Sequence, residues 1–124
     1  MNRQEIIKTL KESDLNLKEL WFGFGGGHVM HGLKENTKDI DAQISSSYFQ
    51  ELVDKGHEWK EAPMGGRMIV YSETIDLFET FEKTETTEIE GIQVETLETI
   101  IKRKLQRGRE KDLKDVEMIR NHMN

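Results

Sequence analysis

Apolar positions along the chain change period from one block to the next. Among residues 2–12, Ile6, Ile7 and Leu10 fall at helical spacing between charged residues, which predicts an amphipathic helix. Residues 17–24 (LKELWFGF), aromatic and bounded by Asp14-Leu15-Asn16 and by glycines, predict a strand. Residues 27–33 suit a helix of two turns, and residues 38–44 (KDIDAQI) alternate polar and apolar as a second strand. Ser45-Ser46-Ser47 offers an N-cap for a helix through Tyr48, Phe49, Leu52 and Val53, which Gly56 ends. Short strands are predicted at 57–61, 67–71, 74–79 and 91–94, with a turn at 62–66 and a loop or irregular edge over the Thr/Glu-rich residues 81–90. Two helices close the chain, with apolar stripes of Leu97, Ile100, Ile101 and Leu105, then Leu113, Val116, Ile119 and Met123, broken at Gly108.

This order predicts an α/β (α+β) fold: a small mixed sheet flanked by helices, ending in a helical pair. With 124 residues the chain has room for one core, so a single domain is expected, its core about 15–95 and its terminal helices about 96–123. No run approaches the roughly 18 apolar residues of a membrane span. The first residues lack the apolar centre of an export signal, and there is no cysteine, which excludes disulfides and thiolate metal sites. A cytoplasmic protein is the expectation.

The net charge of −6 is unevenly spread. Residues 73–98 hold nine acids against one base, Lys83, whereas residues 102–120 hold eight bases against four acids. The acidic part argues against nucleic acid covering the whole surface, and the basic tail could meet a compact polyanion.

The candidate chemistry lies in GFGGGHVMHGLKENTKDIDAQI, residues 23–44. On a strand, residues i and i+2 share a face, so Asp39 and Asp41 are expected side by side with Ile40 turned to the core. Two such carboxylates suit Mg²⁺, and ions about 3.5–4 Å apart held this way serve in-line displacement at phosphorus. Asp76, between Ile75 and Leu77, is the expected third carboxylate, with Glu73 and Glu79 as weaker alternatives. Four glycines in the five positions 23–27 allow backbone N–H groups to approach a phosphate, and a helix beginning at Gly27 or His28 would add its N-terminal dipole. Neither the P-loop nor the dinucleotide-binding pattern is present.

These residues resemble the nucleotidyltransferase fold of the polymerase-β superfamily, whose signature is Gly-Gly or Gly-Ser, about a dozen residues, then acid-x-acid on a strand. Twelve residues separate Gly26 from Asp39 here. More narrowly, HGLKENTKDID resembles small bacterial nucleotidyltransferase-like proteins, matching at His31, Gly32, Thr37, Asp39, Ile40 and Asp41, with Glu35 where those proteins often carry arginine. The tail LETIIKRKLQRGREKDLKDVEMI is similar to their closing segment at Lys104, Arg109, Lys111, Asp112 and Asp115.

The resemblance implies that Asp39, Asp41 and Asp76 hold two Mg²⁺ ions, that Gly26 and Gly27 lie against nucleotide phosphates, and that Lys104 and Arg109 reach toward the triphosphate. It implies transfer of a nucleoside monophosphate, with AMP expected, from an NTP to a hydroxyl on a small molecule, a protein or tRNA, releasing pyrophosphate. A homodimer or a partner protein would complete acceptor binding. The rival reading is a non-catalytic interaction module, either a toxin or antitoxin component or a nucleotide sensor. Elsewhere, Trp21, Phe22 and Phe24 are expected in the core, His31 packed or hydrogen-bonded at the helix end, and Asp112 and Asp115 in ion pairs with Arg109 and Lys111.

Overall fold

The computed structural model describes residues 1–23, 26–63 and 65–123. Helix α1 (Arg3–Glu12) starts at a capping box in which Asn2 accepts from the Glu5 N–H and the Glu5 side chain answers the Asn2 N–H. Its buried face is Ile6, Ile7 and Leu10, as the spacing predicts. The expected strand over 17–24 is shorter. Asn16 caps a single 3-10 turn at Leu17–Glu19, and β1 is Leu20–Phe22, with Phe24 outside the described residues. Helix α2 is Gly26–Met30, and β2 begins at Ile40 and runs to Ile44.

Ser45 caps α3 (Ser46–Asp54), which buries Tyr48, Phe49 and Leu52. The remaining strands are β3 (Lys60–Glu61), β4 (Arg67–Val70), β5 (Ile75–Glu79), β6 (Thr86–Ile89) and β7 (Ile92–Glu95). Part of the expected loop or irregular edge is thus a regular edge strand. Glu90 and Gly91, both at positive φ, turn β6 back onto β7, with Ile89 paired to Ile92. The chain ends in α4 (Leu97–Arg107), capped by Thr96 and stopped by left-handed Gly108, and α5 (Glu110–Met123).

The seven strands among the described residues form one mixed sheet in the order β3-β4-β5-β2-β1-β7-β6. The pairs β2–β5 and β1–β7 are parallel and the others antiparallel. Leu20, Phe22, Ile40, Ala42, Ile44, Ile75, Leu77, Ile92 and Val94 make a buried strand layer that joins α1, α2 and α3 in one core. Among the described residues no helix is long and apolar enough to cross a membrane.

The closing helices depart from their predicted stripes. Of those residues Ile100, Val116 and Ile119 are buried, while Leu105, Leu113 and Met123 are exposed. Lys104 and Asp112 take buried places instead, each held by an oppositely charged partner. Ion pairing admits charged side chains to positions that an apolar pattern cannot reveal.

Candidate functional site

The sheet register places the carboxylates. On adjacent parallel strands Ile40 lies opposite Ile75, Asp41 opposite Asp76 and Ala42 opposite Leu77. Ile40, Ala42, Ile75 and Leu77 are buried on one face, so the alternate face presents Asp41 and Asp76 as neighbours. Their carboxyls sense the crowding. Partial burial first, then the charges of Asp76 and Asp39, raise Asp41 above the ordinary carboxylate range. Partial burial and then Asp39 raise Asp76, with Lys60 acting in the opposite direction.

Asp39 lies one residue before β2 and not within the strand, as the span 38–44 had it. Pairing starts at Ile40, whose N–H donates to the Thr74 carbonyl at 2.7 Å. Asp39 stands in the bend before it, exposed, its carbonyl accepting from the Thr37 hydroxyl at 3.2 Å. It acts on the other two acids from the approach to the strand. Glu79 is otherwise engaged: Arg67 grips it with bonds of 2.8 and 2.7 Å, and that grip lowers its pKa. Glu73 is exposed in the turn before β5.

Among the described residues, no group of three or more His, Asp or Glu side chains is arranged to hold a metal ion. The donor set itself suits Mg²⁺. Oxygen ligands only, in a locally anionic spot, match an ion usually bound by one or two carboxylates and completed by substrate phosphates.

The glycine run divides its work. A Cβ on Gly23 would meet Gln43 Oε1 and Glu95 Oε2 at 3.1 Å each, and the Gly23 N–H donates to that same Gln43 oxygen. Gly23 is therefore small because two polar side chains close over it. Gly25 lies outside the described residues, and Gly26 opens α2. A Cβ on Gly27 would rest 3.4 Å from Val94 and 3.7 Å from Ile100, ordinary contact distances. Gly27 thus sits where α2 meets β7 and α4.

Glu95 was not singled out by its sequence, being one acid at the end of an apolar strand. It is 1% exposed, its Oε2 accepts from Thr84 at 3.1 Å and pairs with Arg103, and its Oε1 has no partner among the described residues. Like Asp41 and Asp76 it projects from the face opposite the apolar strand layer, since Val94 beside it is buried. Only the contacts around Gly23 single it out.

Lys104 and Arg109 meet elsewhere, around a cavity of about 470 Å³ between α4, α5 and the residues from His28 to Lys34. Lys104 is 7% exposed and donates to Asp115 at 3.0 Å, so the expected partner Lys111 is replaced by Lys104. Arg109 donates to Asp112 at 2.8 and 3.3 Å, as expected, and Arg107 joins at 3.3 Å. The bond from Arg109 is the main cause that holds the Asp112 carboxyl below its ordinary range. His28, in the cavity wall, has its pKa lowered by burial first and then by Lys104. His31 is hydrogen-bonded at the helix end, Nε2 to the Glu95 carbonyl at 2.7 Å. None of the three aspartates lines this cavity.

Compared with protein-family models, with curated proteins and with solved structures, the chain matches none of them.

Proposed function

We propose that the protein is a Mg²⁺-dependent nucleotidyltransferase that moves a nucleoside monophosphate, AMP in the favoured case, from an NTP to an acceptor hydroxyl with release of pyrophosphate. The observation that carries this reading is the register of Asp41 against Asp76 on parallel neighbours, with Asp39 at the strand's approach. Asp41 and Asp76, each raised by burial first and then by neighbouring acids, gain from a divalent cation, which replaces repulsion by shared attraction. Mg²⁺ in such a site neutralises charge on phosphate oxygens and lowers the pKa of a hydroxyl. In this reading Asp41 and Asp76 ligate the metal, Asp39 contributes from the entrance, and Gly26 and Gly27 lie beside the phosphates. Lys104 and Arg109 stand toward the far end of the triphosphate. The acceptor class (small molecule, protein or tRNA) belongs to the same proposal, as does a homodimer or partner protein that completes its binding.

A second reading, a non-catalytic interaction module of the toxin, antitoxin or nucleotide-sensor kind, is favoured by one observation. Lys104 and Arg109 are already engaged by Asp115 and Asp112, as structural cations would be. Thermal unfolding with each of the four NTPs, with and without Mg²⁺, separates the two. A nucleotide at about 100 times its Kd stabilises the fold by roughly 2.7 kcal/mol. The enzyme reading expects a shift that needs Mg²⁺ and is lost in Asp41→Asn and in Asp76→Asn. No shift with any nucleotide sinks it and leaves the module.

A further inference from the structure

Displacement at phosphorus runs in line, with the attacking and leaving oxygens on opposite sides of the atom attacked. In the proposed reaction the pyrophosphate leaves toward Gly26, Gly27, Lys104 and Arg109. Those residues stand on the β7 side of the sheet, where Gly27 rests against Val94 of β7 and Ile100 of α4. The strand order β3-β4-β5-β2-β1-β7-β6 sets the carboxylate strands β5 and β2 between that side and β4. An in-line acceptor therefore comes from over β4 and β3.

The surface it meets there is apolar. Val70 on β4 is paired with Asp76, so one row across the sheet reads Val70, Asp76, Asp41. The next row places Lys60 opposite Met68, and Met68 opposite Phe78. Residues two apart on a strand share a face, so Met68, Val70 and Phe78 lie on the same face as Asp76. From these two strands the main core takes Ile69, Ile75 and Leu77, which point the other way. Met68 is buried, Phe78 is partly exposed and Val70 is 51% exposed. Strand propensity accounts for a valine at 70. Its register beside Asp76 makes the exposed half of that side chain a surface for whatever approaches the carboxylate.

We propose, resting on the nucleotidyltransferase reading, that the acceptor is a small molecule whose hydroxyl is carried on an apolar ring or chain. That framework lies against Val70 and Phe78, and Val70 sets the specificity. The acceptor oxygen bonds to the α-phosphorus, and its proton is lost to water. The bond from that phosphorus to the oxygen bridging it to the β-phosphate breaks, and pyrophosphate leaves with the electron pair. A polyhydroxylated sugar set on this surface would give up hydrogen bonds to water and regain few. A nucleic-acid backbone is repelled, since exposed Glu58 and Glu61 flank Lys60 in the chain and exposed Glu73 stands in the turn before β5.

The test uses the NTP that stabilises wild type most, labelled on its α-phosphate, with Mg²⁺. Transfer to cyclohexanol, benzyl alcohol, glucose and glycerol is followed in wild type and in Val70→Asn. The expected kcat/KM is at least about tenfold higher for the two apolar alcohols than for the two polyols. Val70→Asn lowers the apolar values roughly fivefold more than the polyol values, the worth of covering the exposed half of a valine. A merely structural role at position 70 would lower all four alike. Because Val70 is exposed, the variant is expected to keep the wild-type melting temperature and its rise with Mg²⁺ and NTP. That rise also separates the two ways of failing. If wild type shows none with any NTP, the nucleotidyltransferase reading falls and this inference falls with it. If the rise is present, three results overturn the acceptor assignment alone: no transfer to any of the four, a preference for the polyols, or an apolar preference that Val70→Asn leaves unchanged.

Discussion

The sheet carboxylates and the cavity between the closing helices handle charge in opposite ways. At the sheet, the register sets Asp41 against Asp76 with Asp39 before the strand, and burial first, then the neighbouring acids, push the proton affinity of Asp41 and Asp76 up. Between α4 and α5, every acid in the wall has a base against it, and Asp112 is pulled down by Arg109. The fold tolerates the first arrangement and is held by the second. A region that costs stability in isolation is where a ligand has something to repay. A region of satisfied pairs keeps its shape with or without a ligand.

Breaking the paired region has the largest expected effect. Asp112→Ala strands Arg107 and Arg109 and empties a fully buried position, so it should lower the melting temperature more than a substitution at Asp115 or at the sheet carboxylates. Asp115→Ala leaves the Lys104 ammonium buried and alone. Breaking a fully buried pair costs about 3–5 kcal/mol, and with Asp115 30% exposed the expected loss is about 2 kcal/mol, read from urea unfolding. Replacing both partners by apolar residues, Lys104→Met with Asp115→Leu, should recover most of it.

At the sheet the sign reverses. Asp41→Asn removes one of three like charges and should raise metal-free stability at pH 7 by about 0.5 kcal/mol, the scale of a surface substitution. Its folded pKa is raised, so the native state binds the proton more readily, and the acid's cost appears as pH rises through the ordinary carboxylate range. The advantage of the variant should therefore vanish in acid, where the wild-type group is protonated too. Asp112 behaves oppositely. Its pKa is lowered, so its stabilisation is present above the ordinary carboxylate range and is lost as pH falls through the lowered value. Melting curves of the two variants against pH should diverge from wild type in these opposite senses. The smallest effect belongs to an exposed pair on α5, Glu110 with Lys114 at 3.6 Å, where Lys114→Ala should cost no more than about 0.5 kcal/mol.

Much of this contrast is legible in the sequence, and the missing parts share a cause. Alternation marked Asp41 and Asp76 as polar residues between buried ones, because Ile40, Ala42, Ile75 and Leu77 all turn inward. Asp39 was read onto the same strand because nothing local says that pairing begins at Ile40; Thr74 decides it. In α4 and α5, apolar spacing pointed to Leu105 and Leu113, while Lys104 and Asp112 hold the buried places through partners up to eleven residues away. Glu95 is visible only once β1 and β7 are paired and Gly23 lies beneath it. Local pattern reveals which face a residue takes; ion pairs and register, which depend on the assembled chain, decide who meets whom.

The two strands that end the sheet carry a further consequence for the protein in a crowded solution. An open strand edge invites another chain to add itself by backbone hydrogen bonds. Here one edge, β3, is only the two residues Lys60–Glu61. The other, β6, is flanked and interrupted by the exposed acids Glu85, Glu88 and Glu90. Two copies meeting edge to edge at β6 would bring six carboxylates together, so the acidic stretch works as a barrier to fibrillar stacking. It should let the protein be concentrated at neutral pH and make it prone to aggregate when those carboxylates are protonated.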